Sequence, residues 1–385
     1  MIQVPSPRRI ALAAGGTAGH VTPALAVAQA YRARCPGTGV LFLGSASGFE
    51  ARLVAAHGFA FAALSAAPLH GLGTARRLLA LAQLAGGVRQ ARRALASARI
   101  EVVIGFGGYA SAGAMLGGRS RRLATVVHEA NARSGLANRL LGRVVDRVCI
   151  AWPAAAAAFP DASRLRHTGM PIREVMAALA VVPREPPPPG RLRLLVCGGS
   201  QGSAFLNHHM PALAAALRAA GVAVEVWHQC GRHATDAVAA GYAACGLTAR
   251  VDAHVDDMAA AYLWADAAIA CAGAATLAEL AAAGLPALLV PLAKASDDHQ
   301  ADNAHAYAAA SGAVWVRETA WNAARLAAVL APLARDDGLW RAWSAGARRL
   351  ARPDAAAALV EVCEDLLRER ATPVGGASLT RRGDA

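Results

Sequence analysis

Aromatic residues are scarce: Phe, Trp and Tyr make up 5% of the 385 residues, so Ala, Leu and Val must carry most of the burial. Such a composition suits helices covering a sheet better than a β-sandwich. Paired cysteines are absent as well. The seven cysteines, at 35, 149, 197, 230, 245, 271 and 363, form no CxxC pair and no metal-ligand spacing, which excludes a zinc ribbon or a disulfide scaffold. Several lie in apolar runs such as RVCIAW and LLVCGG and read as buried thiols in a reducing compartment. Residues 1–7 lack the apolar core of a signal peptide. The longest run free of both charged residues and histidine, 102–118, holds six glycines and makes a poor spanning helix. The reading is a cytoplasmic, soluble chain that meets a membrane only from its surface.

Charge is present but lopsided. Residues 1–190 hold 22 Lys+Arg against 7 Asp+Glu, a net of +15, and residues 191–385 hold 17 against 19, a net of −2. The excess in the first half points to an anionic partner there: nucleic acid, acidic lipid or a phosphorylated substrate. At about 150 residues per domain, the length suggests two domains.

Two segments begin alike. RIALAAGGT (9–17) is an apolar run ending in a glycine pair and a hydroxyl, and RLLVCGGS (193–200) repeats it. Each is followed by a helical pattern, over 23–34 and 204–220. Strand, glycine turn and helix open a doubly wound domain. Between the repeats, VPREPPPPG (182–190) is a semi-rigid connector. Further strands are expected at 39–43, 102–105, 124–128, 147–151, 222–228, 267–270, 286–290 and 313–316, with helices between them. The domains are read as 8–165 and 166–350, with a closing amphipathic helix over 354–370 and a disordered tail over 371–385.

The first glycine turn reads GGTAGH (15–20), neither GxGxxG nor a P-loop. Its backbone N–H groups can meet an anion at the next helix N-terminus. His20 stands at its mouth, where a neutral imidazole can take a proton from an attacking hydroxyl. GFGGYAS (105–111) closes another strand at the same carboxyl edge, so the two loops together can hold two phosphates. HEAN (128–131) also ends a strand, with Glu129 either functional or a helix cap. GAATLAE (273–279) opens a helix suited to a pyrophosphate, with Glu279 placed for the hydroxyls of a ribose. DDHQADN (297–303) is a polar burst with no metal triad in it. Leu78, Leu79, Leu81 and Leu84 beside Arg76, Arg77, Arg89, Arg92 and Arg93 make a basic helix that lies on anionic lipid or packs its leucines inward.

Taken in order, GGTAGH, GFGGYAS, HEANA, GMPIR, GGSQGS, VDDMAAAY, GAATLAEL with AAAGLPALLVPL, and DHQADNA resemble the MurG family over residues 8–370. Those bacterial glycosyltransferases add N-acetylglucosamine from UDP-GlcNAc to the muramyl 4-hydroxyl of lipid I, the undecaprenyl-diphosphate-linked pentapeptide precursor, giving lipid II and UDP for peptidoglycan. The resemblance implies a GT-B fold, an α/β architecture of two Rossmann-like doubly wound domains around a cleft. The second domain would hold the donor, with the first holding lipid I and facing the membrane. Donor contacts would fall on Thr17, Ala18, Gly19, Asn131, Arg173, Ser200, Val255, Ala274, Ala275, Thr276, Leu277, Ala278, Glu279 and Gln300. The acceptor diphosphate would meet Gly16, Gly107, Gly108 and Tyr109. Ser200 would meet phosphate, the Val255 backbone the uracil, Glu279 the ribose, and Arg173 the leaving diphosphate. His20 is the favoured general base, with inversion at the anomeric carbon, and Glu129 the other candidate.

The resemblance further implies a peripheral protein at the cytoplasmic face of the inner membrane. Anionic phospholipid and other cell-wall and division proteins would be its partners, not nucleic acid. No cofactor is implied, and a divalent cation would act as a stimulant without a dedicated site. Four positions depart from the family pattern: Ala18 for Gly, Ala130 for Gln, Met170 for Asn and Ala272 for Ser. Competing readings are another GT-B enzyme (a glycolipid glycosyltransferase or a UDP-sugar epimerase), a nicotinamide oxidoreductase and a non-catalytic sugar-nucleotide-binding scaffold. No acidic residue ends the second strand, LGS (43–45), which argues against the oxidoreductase.

Overall fold

The computed structural model describes residues 7–15, 18–45, 49–66, 74–199, 201–293 and 298–372. Seven parallel strands form the first sheet: β1 (Arg9–Ala13), β2 (Gly39–Ser45), β3 (Ala60–Leu64), β4 (Val102–Gly105), β5 (Ala124–Glu129), β6 (Arg147–Ile150) and β7 (Leu165–His167). Six form the second: β8 (Arg191–Cys197), β9 (Ala223–Gln229), β10 (Ala249–Asp252), β11 (Ala267–Ala270), β12 (Ala287–Leu289) and β13 (Val314–Trp315).

The orders are β3-β2-β1-β4-β5-β6-β7 and β10-β9-β8-β11-β12-β13. Each sheet therefore reverses its winding at a central pair, β1/β4 in the first and β8/β11 in the second. A doubly wound sheet opens a ligand crevice beyond the strand ends at that point. The sheet-forming repeat seen in the sequence is thus also a repeat of binding edges.

Both sheets are covered on both faces, so their central strands are apolar throughout, as parallel strands require. In β1, Ile10 and Leu12 face α1 (Ala18–Arg34), α2 (Phe49–Ala56) and the C-terminal helix. Ala11 and Ala13 face α3 (Thr74–Ser97), α4 (Tyr109–Ser120) and α5 (Leu136–Leu141). After the short α6 (Glu174–Ala177), the second sheet packs α7 (Ala204–Ala219), α8 (Thr235–Ala244) and α12 (Ala323–Leu330) on one face. Its other face takes α9 (Met258–Trp264), α10 (Ala274–Ala283) and α11 (His299–Ser311). Two helices close the chain, α13 (Asp337–Arg349) beside α10 and α11, and α14 (Ala355–Ala371), which returns to α1. Arg8 donates to the buried Glu364 at 3.0 Å and Arg370 to Asp146 at 2.8 Å, fastening α14 to the first sheet. α14 reaches one residue into the segment read as tail; 373–385 lie outside the described residues.

The second inner core is not confined to one sheet. Ala130, Ala151, Met170, Ile172, Met176 and Leu179, from the end of the first sheet and the crossing segment, share one apolar cluster with α9, α10 and α11. Burying Met- or Ile-sized side chains contributes about 1.5–3 kcal/mol each, so this cluster holds the two crevices face to face. α1 and α10 approach each other across the cleft between them.

Candidate functional site

Three loops of the first sheet build one wall of the cleft. β1 ends at the first glycine turn, and α1 carries His20 in its first turn. His20 Nδ1 lies 3.0 Å from the Gly15 carbonyl oxygen. A carbonyl only accepts, so Nδ1 carries the proton and Nε2 carries the lone pair of a neutral imidazole. Burial lowers the His20 pKa below its ordinary value, and the nearby His299 pushes the same way; the Gly15 bond and Glu50 oppose them.

The second glycine loop seats against that ring. Gly107 has φ +94°, and a Cβ there would stand 3.2 Å from His20 Nε2. Gly108, at φ +80°, approaches so closely that a Cβ would meet the Gly15 oxygen at 2.2 Å. Only glycine at both positions lets the loops after β1 and β4 abut. Gly19 is exposed beside them. Gly16, Thr17 and Ser200 lie outside the described residues; Ala18 and Tyr109 open α1 and α4.

The third loop follows β5. His128 is fully buried, donates from Nε2 to the Gly169 carbonyl at 2.9 Å, and is lowered to about 4 by its burial. It ties β5 to the crossing segment. Glu129 is 2% exposed and accepts from the Asn131 amide at 2.9 Å, Asn131 Nδ2 at 3.3 Å, the Gly135 amide at 3.2 Å and Asn138 Nδ2 at 3.0 Å. Burial raises its pKa against those four bonds. With its oxygens so engaged, Glu129 shapes the loop that presents Asn131.

Asn303 on α11 completes that presentation. It is fully buried, accepts from the Ala132 amide at 2.8 Å, and donates to Asn131 Oδ1 at 3.1 Å and the Ala272 carbonyl at 3.2 Å. One side chain thus joins the first wall to the second. Sequence reasoning stopped at Gln300 and missed it; an Asn one turn on, on the same helix face, was the available signal.

The opposite wall is the carboxyl edge of the second sheet. α10 starts just after β11, and Gly273 caps it without a side-chain bond. The N–H groups from Ala274, Ala275 and Thr276 are therefore placed for an anion. Leu277 faces the core; Ala278 and Glu279 follow. Glu279 accepts from Tyr262 Oη at 3.0 Å, and its carboxyl is raised by burial against the pull of Arg173 and that hydroxyl. Tyr262 is a second residue the sequence did not single out. Gln300 Oε1 accepts from the Ala272 and Leu292 amides, both at 3.1 Å, joining the ends of β11 and β12. Val255 is 3% exposed as a whole residue, with its side chain in the apolar cluster between the walls.

Three of the four departures from the family pattern meet in one place. Ala130, Met170 and Ala272 are 9%, 4% and 0% exposed and belong to the single apolar cluster between the walls. Among the described residues, no three His, Cys, Asp or Glu side chains gather as around a metal ion.

Residues 10–150 match the glycosyltransferase family 28 N-terminal domain and 193–344 its C-terminal domain. The chain is 43% identical, over 92% of its length and 96% of the relative's, to the UDP-N-acetylglucosamine–N-acetylmuramyl-(pentapeptide) pyrophosphoryl-undecaprenol N-acetylglucosamine transferase of Acidithiobacillus ferrooxidans. Identity to the enzyme of the same name from Ectopseudomonas mendocina is 40%, over 93% and 99%. The crystal structure of MurG from Acinetobacter baumannii superposes with a TM-score of 0.76 at 31% identity, covering 93% of this chain and all of that one.

Proposed function

The chain belongs to the MurG family of glycosyltransferases, and from that premise we propose how its cleft transfers N-acetylglucosamine from UDP-GlcNAc to lipid I. The muramyl 4-hydroxyl attacks the anomeric carbon, the bond from that carbon to the β-phosphate oxygen breaks, and UDP leaves. The hydroxyl proton passes to His20 Nε2, and configuration inverts. The observation that carries this assignment is the His20–Gly15 bond, which fixes the tautomer with its basic nitrogen against the second glycine loop. Glu129 is engaged by four donors and serves as a positioning residue.

The donor's diphosphate rests at the start of α10, with Arg173 neutralising charge on the departing UDP. Glu279 takes the ribose, the Val255 backbone the uracil, and Asn131 and Gln300 the sugar. The lipid diphosphate meets the two glycine loops. A divalent cation that stimulated the reaction would offset charge on the donor phosphates; no cluster of metal ligands stands among the described residues to hold it.

The membrane reading rests on surface character. No helix among the described residues is long and apolar enough to cross a bilayer. On the α3, α4 and α5 layer, Leu79 and Leu81 are 60% and 54% exposed. Leu136, Leu140 and Val144 are exposed on and just after α5, with Arg139 and Arg143 between them. Apolar stripes among arginines suit the headgroup region of anionic phospholipid, and we assign this layer to the cytoplasmic face of the inner membrane.

Incubation with UDP-GlcNAc and a lipid-linked muramyl-pentapeptide should give the disaccharide lipid and UDP in equal amounts, with diacylglycerol left unglycosylated. UDP release without disaccharide, or glycosylated diacylglycerol, would overturn the acceptor assignment.

A further inference from the structure

Between the loop after β5 and α11 lies an open pocket of about 390 Å³. Arg133, Ser134 and Arg139 line it from the first domain, the alanine turn Pro153–Ala158 floors it, and Asp302 and His305 close it from α11. Nothing in the transfer chemistry above uses these groups.

α11 connects this pocket to the reacting centre. His299 is close enough to His20 for their charges to interact, and Asp302 and Ala306 follow it on one helix face at i+3 and i+7. Six residues of helix, from His299 to His305, span about 9 Å. Five residues of extended peptide reach about 17 Å. A peptide hanging from a sugar held at His20 therefore spans the distance to the pocket.

The lining chemistry selects the occupant. Arg133 and Arg139 are exposed cations on one side, suited to carboxylates. Arg133 lies 3.7 Å from Asp302 across the opening, too far for a hydrogen bond, so its donors are not committed there. Ser134 is 7% exposed and its Oγ has no hydrogen-bond partner; a buried hydroxyl in that state is costly unless a ligand satisfies it. Ala154, Ala155, Ala157 and Ala158 give the floor a methyl surface that small apolar side chains can cover.

We propose that this pocket binds the peptide of the acceptor, an acidic peptide of small side chains whose carboxylates pair with Arg133 and Arg139 and whose backbone meets Ser134. The inference rests on the acceptor assignment above, and it makes the peptide a recognised part of the substrate.

The test compares two acceptors with a short, water-soluble lipid chain, one with the full pentapeptide and one ending at the muramyl sugar, so that membrane binding does not enter. Wild type should prefer the peptide acceptor. Arg133→Ala with Arg139→Ala should raise KM for it roughly tenfold, about threefold to fivefold for each exposed ion pair lost. KM for the peptide-free acceptor and for UDP-GlcNAc should hold within twofold. Ala157→Trp, at an exposed position of the alanine turn, should block the pocket and give the same selective loss without changing charge. Equal effects on both acceptors, or none on either, would overturn the peptide site while leaving the transferase reading intact. If wild type glycosylated neither acceptor, the transferase reading would fail and the peptide site with it.

Discussion

His20 draws its tautomer and its access from backbone neighbours. A backbone carbonyl sets its tautomer and a glycine leaves space at its basic nitrogen, while burial holds the ring neutral against the opposing charge of Glu50. Because its pKa lies below the ordinary 6.5, kcat/KM should be level above pH 7 and fall tenfold per pH unit only once the pH drops beneath that lowered value. A break above pH 7 would contradict this. Tyr262 gives a second test. Its hydroxyl holds Glu279, so Tyr262→Phe should raise KM for UDP-GlcNAc about fivefold, the worth of one ordinary hydrogen bond of about 1 kcal/mol, with kcat little changed. His20 and Glu279 could be found in the sequence because each follows a glycine turn after a strand. Asn303 offered only its place one turn beyond Gln300, and neither it nor Tyr262 could be given a role, since their partners Asn131 and Glu279 lie 172 and 17 positions away.

The elements divide the same way. Central strands were legible as unbroken apolar runs: β4 and β11 fall on the residues expected for them. β3, β7 and β10 were not read at all. All three are edge strands, partly exposed: LRH and ARVD offer neither an apolar run nor clean alternation, and AFAAL is apolar but alanine-rich, a composition that favours helix over strand. α5 was expected only as an unplaced helix between the strands at 124–128 and 147–151, and its outward Leu136 and Leu140 share the α3, α4 and α5 layer with Leu79 and Leu81. Leu79→Glu with Leu140→Glu should weaken binding to anionic vesicles at least tenfold, by removing two inserted side chains of about 1 kcal/mol or more each. Undiminished vesicle binding would move the membrane face elsewhere. Restoring the usual polar residue between the domains, Met170→Asn, should destabilise by about 2–4 kcal/mol, because it opens a cavity and strands an amide in the apolar cluster. An unchanged melting temperature would show that the cluster accommodates a polar side chain.

Across the whole molecule, one repeated design serves two ligands. Each sheet reverses its winding at its centre and offers a glycine-rich edge; the two halves of the chain differ in charge, +15 over residues 1–190 against −2 over 191–385. The repeat was legible because both glycine turns lie in sequence next to their strands. The apolar joint between the sheets was not, because its members come from both halves. Each half also buries one histidine at a strand's carboxyl end, His128 on β5 and His228 on β9, both lowered to about 4 by burial. A lowered histidine gives stability that is complete above its unfolded pKa near 6.5 and drains away as pH falls toward 4. Glu129 and Glu279, raised by burial, act in the opposite sense. His228→Gln removes one titration and should recover about 2 kcal/mol of the stability lost between pH 7 and pH 5; an unaltered pH slope would contradict it. The most direct measurement is the rate of disaccharide-lipid formation by His20→Ala with saturating UDP-GlcNAc and lipid I, beside its affinity for UDP-GlcNAc. The rate should fall by about 10²–10⁴ with donor affinity within a few-fold of wild type. A variant that transferred within tenfold of the wild-type rate would show that His20 is not the base.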